Sequence, residues 1–210
     1  MNVSVFLALG AVVVIAVVLL LTRSREPHQR ATVLTRTGAG VMAVFTVLAG
    51  VFTASYAMQD PGGNAGLLLT LAWVVPMLIL AVSAWFWPAV TSPLLLALSS
   101  AFIAACLWLA FDPTALRSFL SDNGPVIAVS VITLAFPAAV LGLKRTALAG
   151  WLLVGLGVLP LLITLIARSG PLASLTAASV VPLISGICYL VAAKMIGAGS
   201  ASEDHRAAAA

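Results

Sequence analysis

Four prolines are the most patterned residues in this chain. Pro76, Pro137, Pro160 and Pro182 each stand inside a long apolar run, preceded by Val75, Phe136, Leu159 and Val181. A proline within a helix has no N–H to give and bends the axis, leaving one carbonyl without its donor. In a membrane such carbonyls can bind ions or line a passage, and interrupted helices mark many transporter sites. The plainer alternative is a structural kink whose freed carbonyl is satisfied by a nearby hydroxyl. Thr133, four residues before Pro137, and Thr164, four after Pro160, are placed for that. These six residues are the candidate pathway.

Residue types that carry proton, metal or nucleophilic chemistry are scarce and badly placed for it. All six acids (Glu26, Asp60, Asp112, Asp122, Glu203 and Asp204) and both histidines (His28 and His205) fall outside the apolar runs. A haem held by two intramembrane histidines, a buried carboxylate relay and intramembrane proteolysis therefore lack their residues. No glycine-rich phosphate loop, metal cluster or triad occurs, so no cofactor is expected and the reading leans away from an enzyme. A lipid-acting enzyme would have to draw on Asp112, Arg117 and Asp122 near one membrane boundary. Cys106 and Cys188 are expected at depths too different for a disulfide, as small buried hydrophobes.

Lys194 is the one cation near an apolar run that invites chemistry. Leu190-Val191-Ala192-Ala193-Lys194-Met195-Ile196-Gly197 resembles the retinal-attaching segment of microbial rhodopsins over those few residues. Those proteins place an acid four residues before the lysine, where this chain has Leu190, and no apolar run carries a counter-ion carboxylate. Lys194 reads as a cytoplasmic anchor whose long side chain reaches the interface.

The elements that must hold these residues follow from composition. The 210 residues include ten Lys+Arg and six Asp+Glu, 62% are hydrophobic, and mean hydropathy is +1.19. Soluble domains are ~45–50% apolar and ~25% charged, so this chain lacks the polar surface to cover a water-exposed globule. A soluble enzyme, a disordered tail and a disulfide scaffold are excluded. What remains is an all-α, polytopic transmembrane helix bundle.

Measured against the ~20 residues that cross a ~30 Å hydrocarbon core, the apolar runs predict seven spans, about 3–21, 38–58, 66–86, 93–111, 125–143, 148–167 and 173–196. The run from Gly66 to Phe111 is too long for one crossing and is divided at Trp87–Pro93, where two prolines fit a tight turn. Residues 1–197 form the transmembrane domain and 198–210 a polar cytoplasmic tail. No basic n-region precedes the first run, which is expected to be retained as a helix.

Orientation follows from the basic residues. With the N-terminus outside, Arg23, Arg25, Arg30, Arg36, Lys144, Arg145, Lys194 and Arg206 are cytoplasmic, and Arg117 and Arg168 are outside. Aromatic positions agree, with Tyr56, Trp108 and Phe111 near the outer boundary and Trp85, Trp87 and Trp151 near the inner one. A pI near 9.7 thus reflects topogenic charge on three separate segments, and nucleic acid is not an expected partner.

Small residues recur at helical spacing: Gly38, Gly40 and Gly50; Gly150, Gly155 and Gly157; Ala173, Ala177, Ala178, Ser174, Ser185 and Gly186. They let backbones approach, and packing within the bundle explains them as well as a partner would. Function is therefore expected to reside in the bundle, as a non-catalytic subunit, scaffold or assembly factor of a larger membrane complex. Its partners would be the lipid bilayer and other membrane subunits. The alternative is a small transporter for an apolar or neutral solute through the Pro-kinked helices. A transporter requires a cavity at the depth of the prolines, whereas a subunit requires a filled interior and an exposed face of small residues. The Ala-, Val- and Leu-rich make-up points to a bacterial cytoplasmic membrane.

Overall fold

A computed structural model describes residues 27–112, 114–115, 118–119, 126–167 and 172–208. Six helices account for most of them: α1 (Pro27–Ala57), α2 (Gly63–Phe86), α3 (Pro88–Ala110), α4 (Val126–Gly142), α5 (Thr146–Ala167) and α6 (Leu172–Ala208). No strand occurs among the described residues. Five of the helices are long and apolar enough to cross a membrane, and α4, with 17 residues, is a shorter apolar helix. The expected first span, 3–21, lies outside the described residues, as do Arg23 and Arg25.

The bundle is apolar on the outside. Leu68 is 67% exposed and Phe86 65% exposed, and Val44, Leu48, Val51 and Ile79 also face outward. A water-soluble protein rarely presents contiguous apolar surface on that scale, whereas lipid tails accept it. Inside, one core is assembled from all six helices, with Met42, Ala84, Leu95, Leu153, Leu156 and Tyr189 meeting the inward side of α4. The shortest helix is the hub. Touched by every other helix, α4 buries Ile127, Val131, Ala135, Ala138 and Leu141 on successive turns. Its 17 residues reach only about 25 Å, a length that neighbouring helices shield from lipid.

Three helix boundaries differ from the sequence expectation. The span expected from residue 38 is the C-terminal part of α1, which begins at Pro27 and runs through a stretch expected to be a polar loop. The reason is a buried stripe at helical spacing, Ala31, Leu34, Thr35, Gly38, Met42 and Thr46, hidden between exposed residues such as Arg36. Ala31 and Leu34 pack with Cys188 and Ala192 of α6. Likewise α6 does not stop at Gly197 but continues as helix to Ala208, so the expected polar tail is largely helical. With 31 and 37 residues, about 46 and 55 Å, α1 and α6 overrun the hydrocarbon thickness at the same end of the bundle.

The third difference is the α2–α3 corner. The expected turn from Trp87 to Pro93 reduces to one residue, Trp87, with Pro88 in the first turn of α3 and Pro93 inside the helix. Pro88 sits where an N–H would have no partner, so it starts a helix instead of breaking one. The Thr91 hydroxyl donates to the Trp87 carbonyl and the Ser92 hydroxyl to that of Pro88. At the other end of α2 the expected turn is present as a π-helical turn, Met58–Gly62, with Gly62 and the following Gly63 at φ 73° and 54°. That left-handed pair is open to glycine at little steric cost. Gly66 then lies so close to the Ala57 carbonyl that a Cβ would stand 2.2 Å from the oxygen.

Candidate functional site

The four prolines do not share one environment. Pro137, Pro160 and Pro182 are buried in α4, α5 and α6, while Pro76 stands exposed on α2. Around the buried three, Val131, Leu156 and Leu159 are 0–1% exposed, so aliphatic side chains fill the interior at that depth. The α5–α6 crossing runs past Pro160 and Pro182, and it is made by glycine. A Cβ on Gly157 would lie 2.7 Å from Leu183 Cγ and 2.9 Å from the Ser179 carbonyl oxygen, and one on Gly186 would lie 2.9 Å from the Val154 nitrogen. Gly150 makes the third close approach, 2.8 Å from Leu190 Cγ. Backbones this near replace any passage with van der Waals contact.

Thr133 has a different partner from the one expected. Its hydroxyl donates to the Val129 carbonyl at 2.7 Å, one turn back, and accepts from the indole Nε1 of Trp73 at 2.5 Å. The hydroxyl is thus spent on its own turn and on tying α2 to α4, not on the carbonyl that Pro137 releases. The side chain of Thr164 lies outside the described residues. Tyr189, which sequence reasoning passed over, is the largest fully buried side chain among the described residues. Its hydroxyl donates to the Ala139 carbonyl at 2.7 Å, near the C-terminus of α4, where carbonyls run out of helical donors. The ring fits because Gly142 has no Cβ, which would stand 2.6 Å from Tyr189 Cζ. Ser185, one turn earlier, donates to the Gly38 carbonyl of α1 at 3.1 Å. The middle of α6 therefore locks both α1 and α4 toward the end of the bundle where α4 terminates.

That locked end carries the charge. Arg30 and Arg36 on α1, Lys144 and Arg145 in the α4–α5 turn and Lys194 on α6 gather there, with Arg36, Lys144, Arg145 and Lys194 exposed. Lys144 Nζ donates to the Trp85 carbonyl and lies 5.2 Å from the centre of its ring, joining the α4–α5 turn to the end of α2. Trp87 and Trp151 are exposed near the same end, and Tyr56, Trp108 and Phe111 are exposed near the other. The grouping matches the expected belts of a membrane boundary. The side chain of Arg206 is outside the described residues, as are Arg117, Asp122 and Arg168.

Asp112, the acid offered for boundary chemistry, is exposed and locally committed. Its Oδ1 accepts from the Thr114 hydroxyl at 2.5 Å and from the Thr114 and Ala115 N–H groups at 3.0 and 3.1 Å. Those bonds, the hydroxyl first, hold its carboxyl below the usual range. Among the described residues no cluster of His, Cys, Asp or Glu is arranged to hold a metal. Cys106 and Cys188 are buried and unpaired, in separate clusters.

A cleft of about 270 Å³ lies between α3 and α5, lined by Leu96, Ser99, Ser100 and Ile103 on one side and by Trp151 and Gly155, among others, on the other. None of the four prolines borders it. A second, shallower hollow of about 510 Å³ runs along α1 past Gly40 and Val44. No family model, no curated protein and no solved structure matches this chain.

Proposed function

We propose that this chain is a non-catalytic integral membrane protein that serves as a subunit, scaffold or assembly factor of a larger membrane complex. The observation that carries the reading is a contrast in where small residues lie. Inside, glycines are consumed by the α5–α6 crossing, and the level of the buried prolines is filled. Outside, Ala97, Ala101, Ala104 and Ala105 form an exposed stripe on α3 at spacings of three and four residues. Such a stripe admits a neighbouring transmembrane helix at close range. The transporter alternative needs an open path at the depth of Pro137, Pro160 and Pro182, and tight aliphatic packing there weighs against it. The lipid-acting enzyme draws no support from Asp112, whose carboxylate is engaged with Thr114 and Ala115.

In this reading residues 3–21 form a seventh span, the N-terminus is outside and the basic end of the bundle is cytoplasmic, in a bacterial inner membrane. The gathering of Arg30, Arg36, Lys144, Arg145 and Lys194 at one end supports that orientation. The test is affinity purification in mild detergent, comparing the natural chain with Ala101→Trp. A companion protein should co-purify at constant ratio with the first and be lost with the second. Monomer stability should change by less than about 0.5 kcal/mol, as for exposed positions generally. A monomer without companions, under conditions that preserve other complexes, ends the proposal.

A further inference from the structure

The joint between α3 and α5 is closed over one half of its length and open over the other. Beyond Ile103, the side chains of Cys106, Ala110, Leu159 and Ile163 are buried together, with Phe102 and Leu107 packed against them. Toward the basic end the helices part into the cleft, whose walls are apolar except for the Trp151 indole and two serines, Ser99 buried and Ser100 exposed. No charged side chain lines it. On α3, Ala89, Pro93, Leu96, Ser100 and Ile103 form one stripe at spacings of four and three, and Ala89 and Pro93 are exposed. This wall of the groove therefore runs from Ala89 to Ile103, about 21 Å. One leaflet with its headgroups is about 20–22 Å deep, half of a whole bilayer. A groove of that length, closed at its far end by Leu159 and Ile163, suits a lipid of one leaflet. A partner's transmembrane helix would need the joint open through both.

Two cations stand at the open end. Arg145 immediately precedes α5 and continues the other wall, Leu148, Leu152 and Gly155, at spacings of three and four. It is exposed, and its guanidinium has no partner among the described residues. Lys144 gives an N–H to the carbonyl of Trp85, two residues before the corner from which α3 departs. An ammonium has three N–H groups, so this bond fixes its place and leaves two for a ligand. Asp60 and Asp112 are at the opposite end of the bundle, and Glu203 and Asp204 lie on α6 about 13 Å or more beyond Lys194. The mouth of the groove is therefore positive, with no carboxylate beside it among the described residues.

We propose that the α3–α5 groove binds one anionic phospholipid of the leaflet at the basic end, with its phosphate between Arg145 and Lys144 and an acyl chain along the wall from Leu96 to Ile103. A soluble anion would leave the apolar wall unfilled, and a neutral apolar molecule would leave both cations unmatched. The inference needs a bilayer around the bundle and no protein partner, because Ala97, Ala101 and Ala105 lie on a different face of α3.

The test uses the full chain in mild detergent, with phosphatidylglycerol brominated on its acyl chains as probe. Bromine quenches a nearby indole, so binding is read as saturable quenching whose amplitude falls in Trp151→Phe. Phosphatidylcholine with the same brominated chains should need about ten times the concentration or more, since two basic residues favour the anionic lipid. Inorganic phosphate should not displace the probe. Arg145→Gln should weaken phosphatidylglycerol about fivefold, the factor for one basic residue at an anionic surface, whereas Arg145→Lys should retain it. Ser100→Phe, at an exposed position, fills the groove and should abolish saturable binding of both lipids. Equal affinity for the two lipids, unchanged affinity in Arg145→Gln, displacement by inorganic phosphate, or quenching that fails to saturate or ignores Trp151→Phe would overturn the proposal.

Discussion

Gly155 and Gly157 lie two residues apart on α5 and face opposite kinds of neighbour. Gly157 meets α6 backbone to backbone, with Leu183 N and the Ser179 carbonyl oxygen both 2.9 Å from where its Cβ would be. Gly155 meets α3 across 3.6 Å at a flexible isoleucine tip, beside a cleft. The α5–α6 joint is built by removing side chains, while Tyr189 and Ser185 tie α6 to α4 and α1. The α3 joint is built by side chains that leave space. The first kind gives a rigid core; the second leaves a surface with room for something else. Lipid supplies no hydrophobic force between helices, so the quality of contact decides which joints hold.

The sharpest way to break that comparison is a single methyl at each glycine. Gly157→Ala drives its Cβ into backbone that cannot give, and should cost about 1–3 kcal/mol, in the range for overpacked sites. Gly142→Ala should behave similarly, because its neighbour is the fully buried Tyr189 ring. Gly155→Ala should be neutral or stabilising by up to ~1 kcal/mol, since alanine is the better helix former. Reversible unfolding in mixed micelles measures all three. Equal losses at 155 and 157 would mean that the two joints are packed alike.

Next in size are the polar ties. Tyr189→Phe keeps the ring and removes the donor to Ala139, and should cost about 1 kcal/mol. The Trp73–Thr133 tie between α2 and α4 is partly buried. A cycle of Trp73→Phe and Thr133→Val should show coupling near ~0.6 kcal/mol and not above ~1.7, the span found for hydrogen bonds in membranes. Coupling of zero would leave α2 held to α4 by apolar contact alone.

What could be read from the sequence divides along the same line. The bounds of α2 and α4 fall within three residues of the predicted spans, because turn chemistry at Gln59–Asn64 and charge at Lys144–Arg145 mark chain reversals whatever the packing. The start of α1 was hidden because Arg30 and Arg36 raise local polarity while Ala31, Leu34 and Gly38 keep a narrow buried stripe. A search at spacings of three and four, not a window average, would find it. The course of α6 beyond Gly197 was obscured by glycines, which weaken a helix without forbidding it. The glycines of α5 were visible, but which of them meets backbone depends on where α6 crosses. Ser99 carried no signal either, since its neighbour Ser100 is exposed and only tertiary packing separates the two. Tyr189 looked like one more apolar residue in a span, and its partner, Ala139, is fifty positions away.

The smallest effect belongs to neither joint and shows how little the bundle leans on charge. Asp112 is outside the packed core and fully exposed, and its carboxyl is held low chiefly by the Thr114 hydroxyl and then by two backbone N–H groups. A group whose folded pKa is depressed stabilises the fold above its unfolded value, and loses that contribution as pH falls through the folded one. Acidification through the lower carboxylate range should therefore loosen only the turn after α3. Thr114→Ala should move the Asp112 titration upward, as followed by the carboxyl carbon signal, and Asp112→Asn should remove the pH response of that turn. The unfolding midpoint of the α5–α6 core should stay put from about pH 7 to about pH 4, because no Asp, Glu or His is buried among the described residues. A core that melts with the turn over that interval would place a titrating carboxylate or imidazole inside the bundle, and the division between a neutral, glycine-stitched core and a polar boundary would fail.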